Sequence, residues 1–477
     1  MGDQKSRAAS VLEEAALQDF KARHRGYVID PGHPDYEVAR RVHNGDIDKR
    51  PALIAGCTGV ADVMNAVKFA RAHDLRVAVR AGGHHTAGYA TCDDGLVIDL
   101  SPMKGVRVDP GTKTVHAQAG VTWYEFDRET GVFGLATPGG NISTTGIAGL
   151  TLGGGIGWLS RMYGLACDNL ISADVVTAQG EFLRASVSEN EDLFWGLRGG
   201  SGNFGIATSF EFALHSVANV LSSYIVYSLD QAESLLKFLR DYLPGVPDNL
   251  SVLTMFQSAA SLPFLPPEIQ KSVIVAVEAC WVGPLEEGEK VLQPLRAFGS
   301  PVADFTAPIP YPVLQNMMDV YVEPGQPNLY QCVYLGELSD KIIDITIDGA
   351  TNMSSPLSHL HIMQLGGATS RVGEDETAYS QRNAPYECYI LPIWENPEEA
   401  EIHCDWGRDI WSQLLPHSLG SGYLNRHSDL PEDGIKVAYG PKKYERLADL
   451  KKKYDPTNFF RVNQNIKPTG GAAAGVS

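Results

Sequence analysis

Cysteine is sparse in this sequence, and none of it is paired as metals or disulfides require. The seven cysteines (Cys57, Cys92, Cys167, Cys280, Cys332, Cys388, Cys404) are scattered without a CxxC motif. An odd, dispersed set suits reduced thiols and argues against a disulfide framework or zinc site, so a cytoplasmic location is expected. No run of 18 apolar residues occurs, so no membrane-spanning helix is expected. The first twenty residues lack the apolar centre of a secretory signal. MGDQKS places Gly2 and Ser6 in a myristoylation pattern, a short motif read here as accidental. Basic charge is in deficit: 39 Lys and Arg against 57 Asp and Glu give a net charge of -18. That field repels polyanions, so neither nucleic acid nor an anionic membrane surface is an expected partner. Two catalytic signatures are also missing, the phosphate-cradling GxxxxGK[ST] and the GxSxG nucleophile elbow.

What is present is a soluble, globular composition, 44% hydrophobic and 20% charged. A chain of 477 residues is too long for one ordinary core, so two domains are expected. RPALIAGC reads as a strand, and TGVADVMNAVKFARAHD as a helix with Val60, Val63, Met64 and Val67 on one face. Thr58 is placed to cap that helix and Asp62 to favour its first turn. RVAVR is a second strand, so residues 50 to 80 read as a βαβ unit. GVRVDPGTKTVHAQAG turns at Asp109-Pro110-Gly111, and SADVVTAQGEFLRAS at Gln179-Gly180; both read as hairpins. ATSFEFALH alternates as a half-exposed strand does. Near residue 219 the character changes to fewer glycine clusters and more Pro, Tyr and Met, with SVIVAVEACWVG and YECYILPIW as strands. DQAESLLKFLRDYL and EEAEIHCDWGRDIWSQL read as helices, and the tail from Lys442 as a helix stopped by Asp455-Pro456.

Two stretches carry the chemistry. RAGGHHTAGYA ends an apolar strand with glycines and two adjacent histidines, His84 and His85. Adjacent side chains on an extended strand point to opposite faces, which makes the pair a poor zinc site. His359 and His361, spaced i, i+2 in SHLHIMQLGG, share one strand face, a pattern of structural or pocket-lining residues more than of metal ligands. The second stretch, PGGNISTTGIAGLTLGGGIG at 138 to 157, is rich in glycine yet carries Ile142, Ile147, Leu150, Leu152 and Ile156. A buried, glycine-rich backbone suggests close ligand approach, not a flexible tether. GGGIGW does not complete a dinucleotide fingerprint and does not open the first βαβ unit.

A flavin site fits both stretches. R-x-G-G-H at 80 to 84, GIAGLTLGGGIGWLSRMYGLACDNL at 146 to 170, NEDLFWGLRGGSGNFGIATSFEF at 190 to 212 and the closing YDPTNFFRVNQNIKP together resemble the FAD-linked oxidases of the berberine-bridge-enzyme group, within the vanillyl-alcohol-oxidase superfamily. The resemblance implies an α+β, two-domain PCMH-type FAD-binding fold. In it, residues 1–218 form the FAD-binding domain with its core at about 45–218. Residues 219–430 form a substrate domain of antiparallel sheet covered by helices, and 431–477 return to the first domain. It implies FAD bound covalently at its 8α-methyl through His84, with His85 a loop residue. The flavin-contacting set it implies is Arg80, Ala81, Gly82, Gly83, His85, Gly88, Pro138, Gly139, Gly140, Thr144, Thr145, Gly146, Gly149, Gly154, Gly155, Ile206, Asn463 and Gln464. Many relatives make a second link through a cysteine; Ile142 stands at that position, so a single linkage is expected.

The usual base positions are also altered. Relatives often carry tyrosine in a motif like Y-x-N-Y, whereas YLNRHSDL keeps Tyr423 and Asn425 but has Arg426 where the second tyrosine belongs. Another position used by relatives is Leu150 here. An amine can lose hydride without an enzymic base, while an alcohol loses general-base help of about 10²–10⁴-fold. The expected reaction is therefore two-electron oxidation of a small molecule, an amine or alkaloid-like heterocycle, with dioxygen reduced to hydrogen peroxide. Tyr423, Arg426 and His361 are the candidate catalytic residues, with Tyr389 and Tyr330 as alternative bases. Arg426 also reads as an anion-binding group or as a surface arginine. Oxidation of a sugar or aromatic alcohol, a dehydrogenase passing electrons to another acceptor, and a flavin-binding protein without turnover are the rivals. No metal is expected, and both a monomer and a homodimer stay open.

Overall fold

The computed structural model describes residues 14–262, 265–428 and 430–470, so the Gly2–Ser6 pattern lies outside the described residues. Three sheets of more than two strands organise them. The first has the spatial order Val28–Ile29, Leu53–Gly56, Leu96–Asp99, Val77–Arg80, and its last three strands are parallel. Helix Val60–Ala72 makes the expected crossover and buries Val63, Ala66, Val67 and Ala70. The βαβ unit forms, with a difference: Leu96–Asp99 inserts between its two strands and pairs with both. Thr58 does not cap the helix. Gly59 takes that position without a side-chain bond, and Asp62 instead accepts from the Thr58 N–H and hydroxyl, both at 2.9 Å. The first-turn carboxylate thus ties the segment ahead of the helix to its first turn, and no side chain caps the helix end.

The second sheet is antiparallel, in the order Val106–Asp109, Thr114–Gln118, Ile206–Ala213, Leu170–Val176, Phe182–Ser186. Both expected hairpins are in it. One core joins the first two sheets through Val67, Ile98, Phe126, Phe210 and Phe212, and the C-terminal residues Leu447, Leu450, Phe460 and Ile466 pack into it. Between these sheets the glycine-rich stretch is buried as expected, but it also forms a short helix, Ile147–Gly153.

The third sheet has seven antiparallel strands: Ala303–Pro310, Asn219–Ser228, Val273–Trp281, Leu250–Ser258, His359–Gln364, Tyr386–Leu391 and Gln331–Leu335. Helices Ala232–Tyr242, Leu285–Arg296, Asp340–Thr351 and Ala400–Leu414 cover one face, packing Leu235, Leu239, Leu292, Ile342 and Ile410 onto it. The other face meets Ile156, Trp158, Leu159 and Leu165 from the glycine-rich side. Covered on both faces, the central strands do not alternate apolar with polar; Leu250–Ser258 is buried at every position. The period of two survives as a choice of face. Leu360 and Ile362 point toward the covering helices, so His359 and His361 point the other way.

Candidate active site

Between the glycine loops and the face of the third sheet opposite its covering helices lies a cavity of about 280 Å³. Its first wall is backbone. Strand Val77–Arg80 delivers the loop that holds Ala81, Gly82, Gly83, His84 and His85, all of which line the cavity. Gly82 and Gly146 bring two loops into direct backbone contact: a Cβ on Gly82 would sit 2.4 Å from the Gly146 nitrogen, and one on Gly146 2.5 Å from the Gly82 nitrogen. Gly140, Thr145, Gly146 and Gly149 line the same wall, with Ile206, Asn463 and Gln464 further along. A Cβ on Gly149 or on Gly202, another lining residue, would meet nothing within 4 Å, so open space reaches both backbones.

Several expected contacts stand outside the lining. The Arg80 guanidinium turns back into the first sheet, donating to Asp99 and to the Ala39 carbonyl at 2.5 Å each, and so anchors the base of the loop. Gly88 packs on Ile47, Gly139 on the Trp123 ring, Gly154 on Tyr379 and Gly155 on Ala166. Pro138 is also absent from the lining, and Thr144 acts through His84, whose Nε2 lies 3.0 Å from its hydroxyl.

The opposite wall is made of side chains. Tyr321, Tyr330, His359, His361, Tyr389, Tyr423, Asn425 and Arg426 all line it. Tyr423 is fully engaged: its hydroxyl accepts from the Gly155 N–H at 2.8 Å and from Asn425 at 2.7 Å, and lies 3.3 Å from the Leu150 carbonyl. Burial pushes its pKa up. Arg426 is no surface arginine. It ion-pairs with Glu387, which is fully buried, and its guanidinium lies 4.1 Å from the Tyr389 ring centre. Against burial, which alone would lower it, the Glu387 carboxylate raises the Arg426 pKa and keeps it charged. That pairing offsets its charge.

His361 differs. It is 3% exposed, faces Met255 and Tyr389 across the sheet, and neither ring nitrogen has a hydrogen-bond partner. Burial, then His359 and Arg426, hold its pKa well below the usual histidine range, so its imidazole is neutral. Burial likewise takes His359 down to about 4. His85 turns toward the C-terminal segment, its Nε2 2.5 Å from the Gln464 amide nitrogen.

Residues that sequence reasoning missed include His43, Glu387, Met318, Tyr321 and Val322. Glu387 left a trace, a lone acid within the apolar strand YECYIL. His43, in the stretch RRVHNGD, left none, because its position comes from a tertiary contact with the histidine loop. Segment 318–322 is held over the cavity by Asp319, which accepts from the Ser143 N–H at 2.7 Å and hydroxyl at 2.5 Å.

A deep cavity with a glycine-backbone wall, a histidine in the loop and a side-chain wall opposite is the site of a flavin-dependent oxidoreductase. The FAD binding domain family matches residues 51–186, and the berberine and berberine-like family matches residues 425–467. An FAD-linked oxidoreductase of Dictyostelium discoideum is 33% identical over 458 residues, 95% of this chain and 97% of that protein. (R)-6-hydroxynicotine oxidase of Paenarthrobacter nicotinovorans is 29% identical, covering 94% of this chain and 97% of its own. The crystal structure of 6-hydroxy-D-nicotine oxidase from Arthrobacter nicotinovorans superposes with a TM-score of 0.84 at 29% identity, over 93% of this chain and 98% of that one. The glucooligosaccharide oxidase of Acremonium strictum, described with a 6-S-cysteinyl, 8α-N1-histidyl FAD, shares the fold with a TM-score of 0.81 at 22% identity, over 95% and 99% of the two chains. This chain belongs to the berberine-bridge-enzyme-like family of FAD-linked oxidoreductases, with the PCMH-type α+β fold.

The residues present fit FAD. Open space at Gly149 and Gly202 accommodates close backbone approach, and Asn463 Oδ1, Asn141 Nδ2 and both His361 nitrogens are buried polar atoms without partners along the cavity. Among the described residues no helix is long and apolar enough to cross a membrane, and no three metal-ligating side chains cluster.

Proposed function

We propose that this protein is an oxidase that holds FAD by one covalent bond, through His84, and oxidises a small uncharged molecule, an amine or alkaloid-like heterocycle. The bound flavin would take two electrons from the substrate and pass them to dioxygen, giving hydrogen peroxide. Bonding of His84 Nε2 to Thr144 leaves Nδ1 as the atom for attachment. Ile142, which lines the cavity, has no group for a second link. The division into 1–218, 219–430 and 431–477 belongs to the same reading. It is supported by a seven-stranded sheet drawn wholly from residues 219–391 and by C-terminal residues packing into the core of the first two sheets.

The observation that carries the substrate class is the absence of an uncompensated charge on the side-chain wall. Arg426 is paired with Glu387, Tyr423 is saturated, and the remaining histidines are neutral. An anionic substrate would find no free cation there. A cationic amine would enter by giving up its proton first, which supports oxidation of the neutral form.

His361 favours a second reading. A neutral imidazole with both nitrogens open can take the O–H proton of an alcohol, the role left empty at the usual tyrosine positions. A panel of amines, sugars and aromatic alcohols, scored by flavin bleaching without air and by peroxide release in air, separates the readings. Bleaching by amines alone supports the first, and bleaching by alcohols that is lost in His361→Gln supports the second. Bleaching without peroxide makes the protein a dehydrogenase, and no bleaching leaves a flavin-binding protein without turnover.

A further inference from the structure

His43 is the ring packed against His84, and the oxidation assigned above does not use it. The two ring centres are 3.7 Å apart with planes inclined at 32°. The backbone at His43 is fixed from both sides: its N–H donates to the Gly83 carbonyl at 3.1 Å, and its carbonyl accepts from the Gly325 N–H at 2.8 Å. Next to it, Asn44 donates to the carbonyls of Thr86 and Asn328. The ring is 8% exposed yet lines the cavity and keeps Nε2 without a partner. Nε2 of His43 is therefore open. On His84 the arrangement is complementary, with Nε2 held by Thr144 and Nδ1 free for attachment.

We propose that His43 is the general base for self-catalysed attachment of FAD to His84, an inference that rests on the covalent-flavin reading. In attachment the bond from His84 Nδ1 to the flavin 8α carbon forms. One C8α–H bond breaks, and the His84 imidazole gives up its ring N–H. Two electrons enter the isoalloxazine, which with these two hydrogens ends in its reduced form; dioxygen then reoxidises it and becomes hydrogen peroxide. His43 Nε2 takes the proton that leaves C8α and returns it to the reduced ring system. Burial holds the His43 pKa down to about 4, against a smaller opposing effect of Val322, so the ring is unprotonated at neutral pH and releases an accepted proton readily.

The test compares flavin-depleted wild type, His43→Phe, His43→Gln and His84→Ala after FAD is added. Native yellow colour reads binding, and flavin fluorescence on a denaturing gel with intact mass reads covalent attachment over time. Phe keeps a stacked ring and Gln keeps polarity, and neither supplies a base. The expected result is that both His43 variants bind FAD but attach it roughly 10²-fold more slowly than wild type. His84→Ala should bind and never attach. Attachment at the wild-type rate in either yellow His43 variant overturns the proposal while leaving the His84 link intact. Failure of both His43 variants to bind FAD overturns it as well, making His43 a structural residue. A wild type whose flavin washes out on denaturation sinks the His84 link itself, and the two failures are thereby distinct.

Discussion

The two walls of the cavity are built by different means. One is backbone: loops at 81–86, 140–149 and 201–206 approach each other and the cavity through glycines, with Gly82 and Gly146 nearly in atomic contact. The other is side chains: His361 and Tyr389 are set opposite each other by register on neighbouring strands, while Tyr321, Tyr330, Tyr423 and Arg426 enter from segments outside the strands, Arg426 reaching in to pair with Glu387. Where its loops meet, at Gly82 and Gly146, the backbone wall tolerates no added side chain, because a Cβ there meets backbone atoms that cannot move. A side-chain wall can be rewritten one residue at a time without disturbing the strands beneath it. Family members that share the first wall can therefore differ in what the second one admits.

The largest effect that would sharpen this contrast is Gly82→Val, or equally Gly146→Val. A branched side chain 2.4–2.5 Å from opposing backbone nitrogen should prevent the loops from closing. The expected outcome is protein without flavin absorbance, and a yellow Gly82→Val would break the idea of a rigid backbone wall. Next comes Glu387→Gln, which leaves the Arg426 charge buried without its partner. Removing one member of a buried pair destabilises by about 3–5 kcal/mol, and urea unfolding would show whether Arg426→Met on top recovers most of it. If the single change is silent, the pair is not what holds that wall together.

Asp127, at the packing of helix Trp123–Gly131 on helix Tyr311–Met317, probes the join outside the cavity. Burial pushes its pKa up to about 7, opposed by a hydrogen bond from Gln315. This folded value lies above the unfolded one. As pH rises from about 4 to 7 the unfolded chain releases a proton that the native protein keeps, and stability falls, by about 1.4 kcal/mol per unit. Asp127→Asn should match wild type near pH 4 and be a few kcal/mol more stable at pH 8, as read by denaturant melts at the two pH values. Equal stability at both would place the carboxyl in a wetter site. The smallest effect on stability is expected at His361→Gln, within about 1 kcal/mol, since neither nitrogen makes a bond to lose. Its effect should fall on kcat with alcohol substrates and be slight with amines.

The same contrast explains how much could be read in advance. The histidine loop, the buried glycine-rich stretch, the first βαβ unit and both hairpins were legible, because backbone constraints leave local marks: glycine at close approaches, turn residues between strands, period-3.6 apolar faces. Thr58 as a cap was a local inference that failed because Gly59 takes the N-cap position and the Thr58 hydroxyl donates to Asp62 instead. Leu96–Asp99 between the strands of the βαβ unit was invisible, since nothing local announces which strand a neighbour will be. The i, i+2 spacing of His359 and His361 was legible as one face of a strand; which face, and that it was the cavity's, was not. Arg426 read as exposed as easily as buried until Glu387, 39 residues away in sequence, was seen beside it.

By itself, then, the amino-acid sequence determined the cofactor class and the general α+β build, through four blocks of local pattern that together resemble one family; it also raised the expectations of His84 as the attachment residue and of Ile142 in place of a second link. Tertiary structure alone decided the electrostatic state of the cavity. Burial neutralises the histidines, Glu387 offsets Arg426, Tyr423 is saturated by Gly155 and Asn425, and His43 is brought to the face of His84. Desolvation and pairing depend on which distant segments enclose a group, and no local pattern encodes that enclosure.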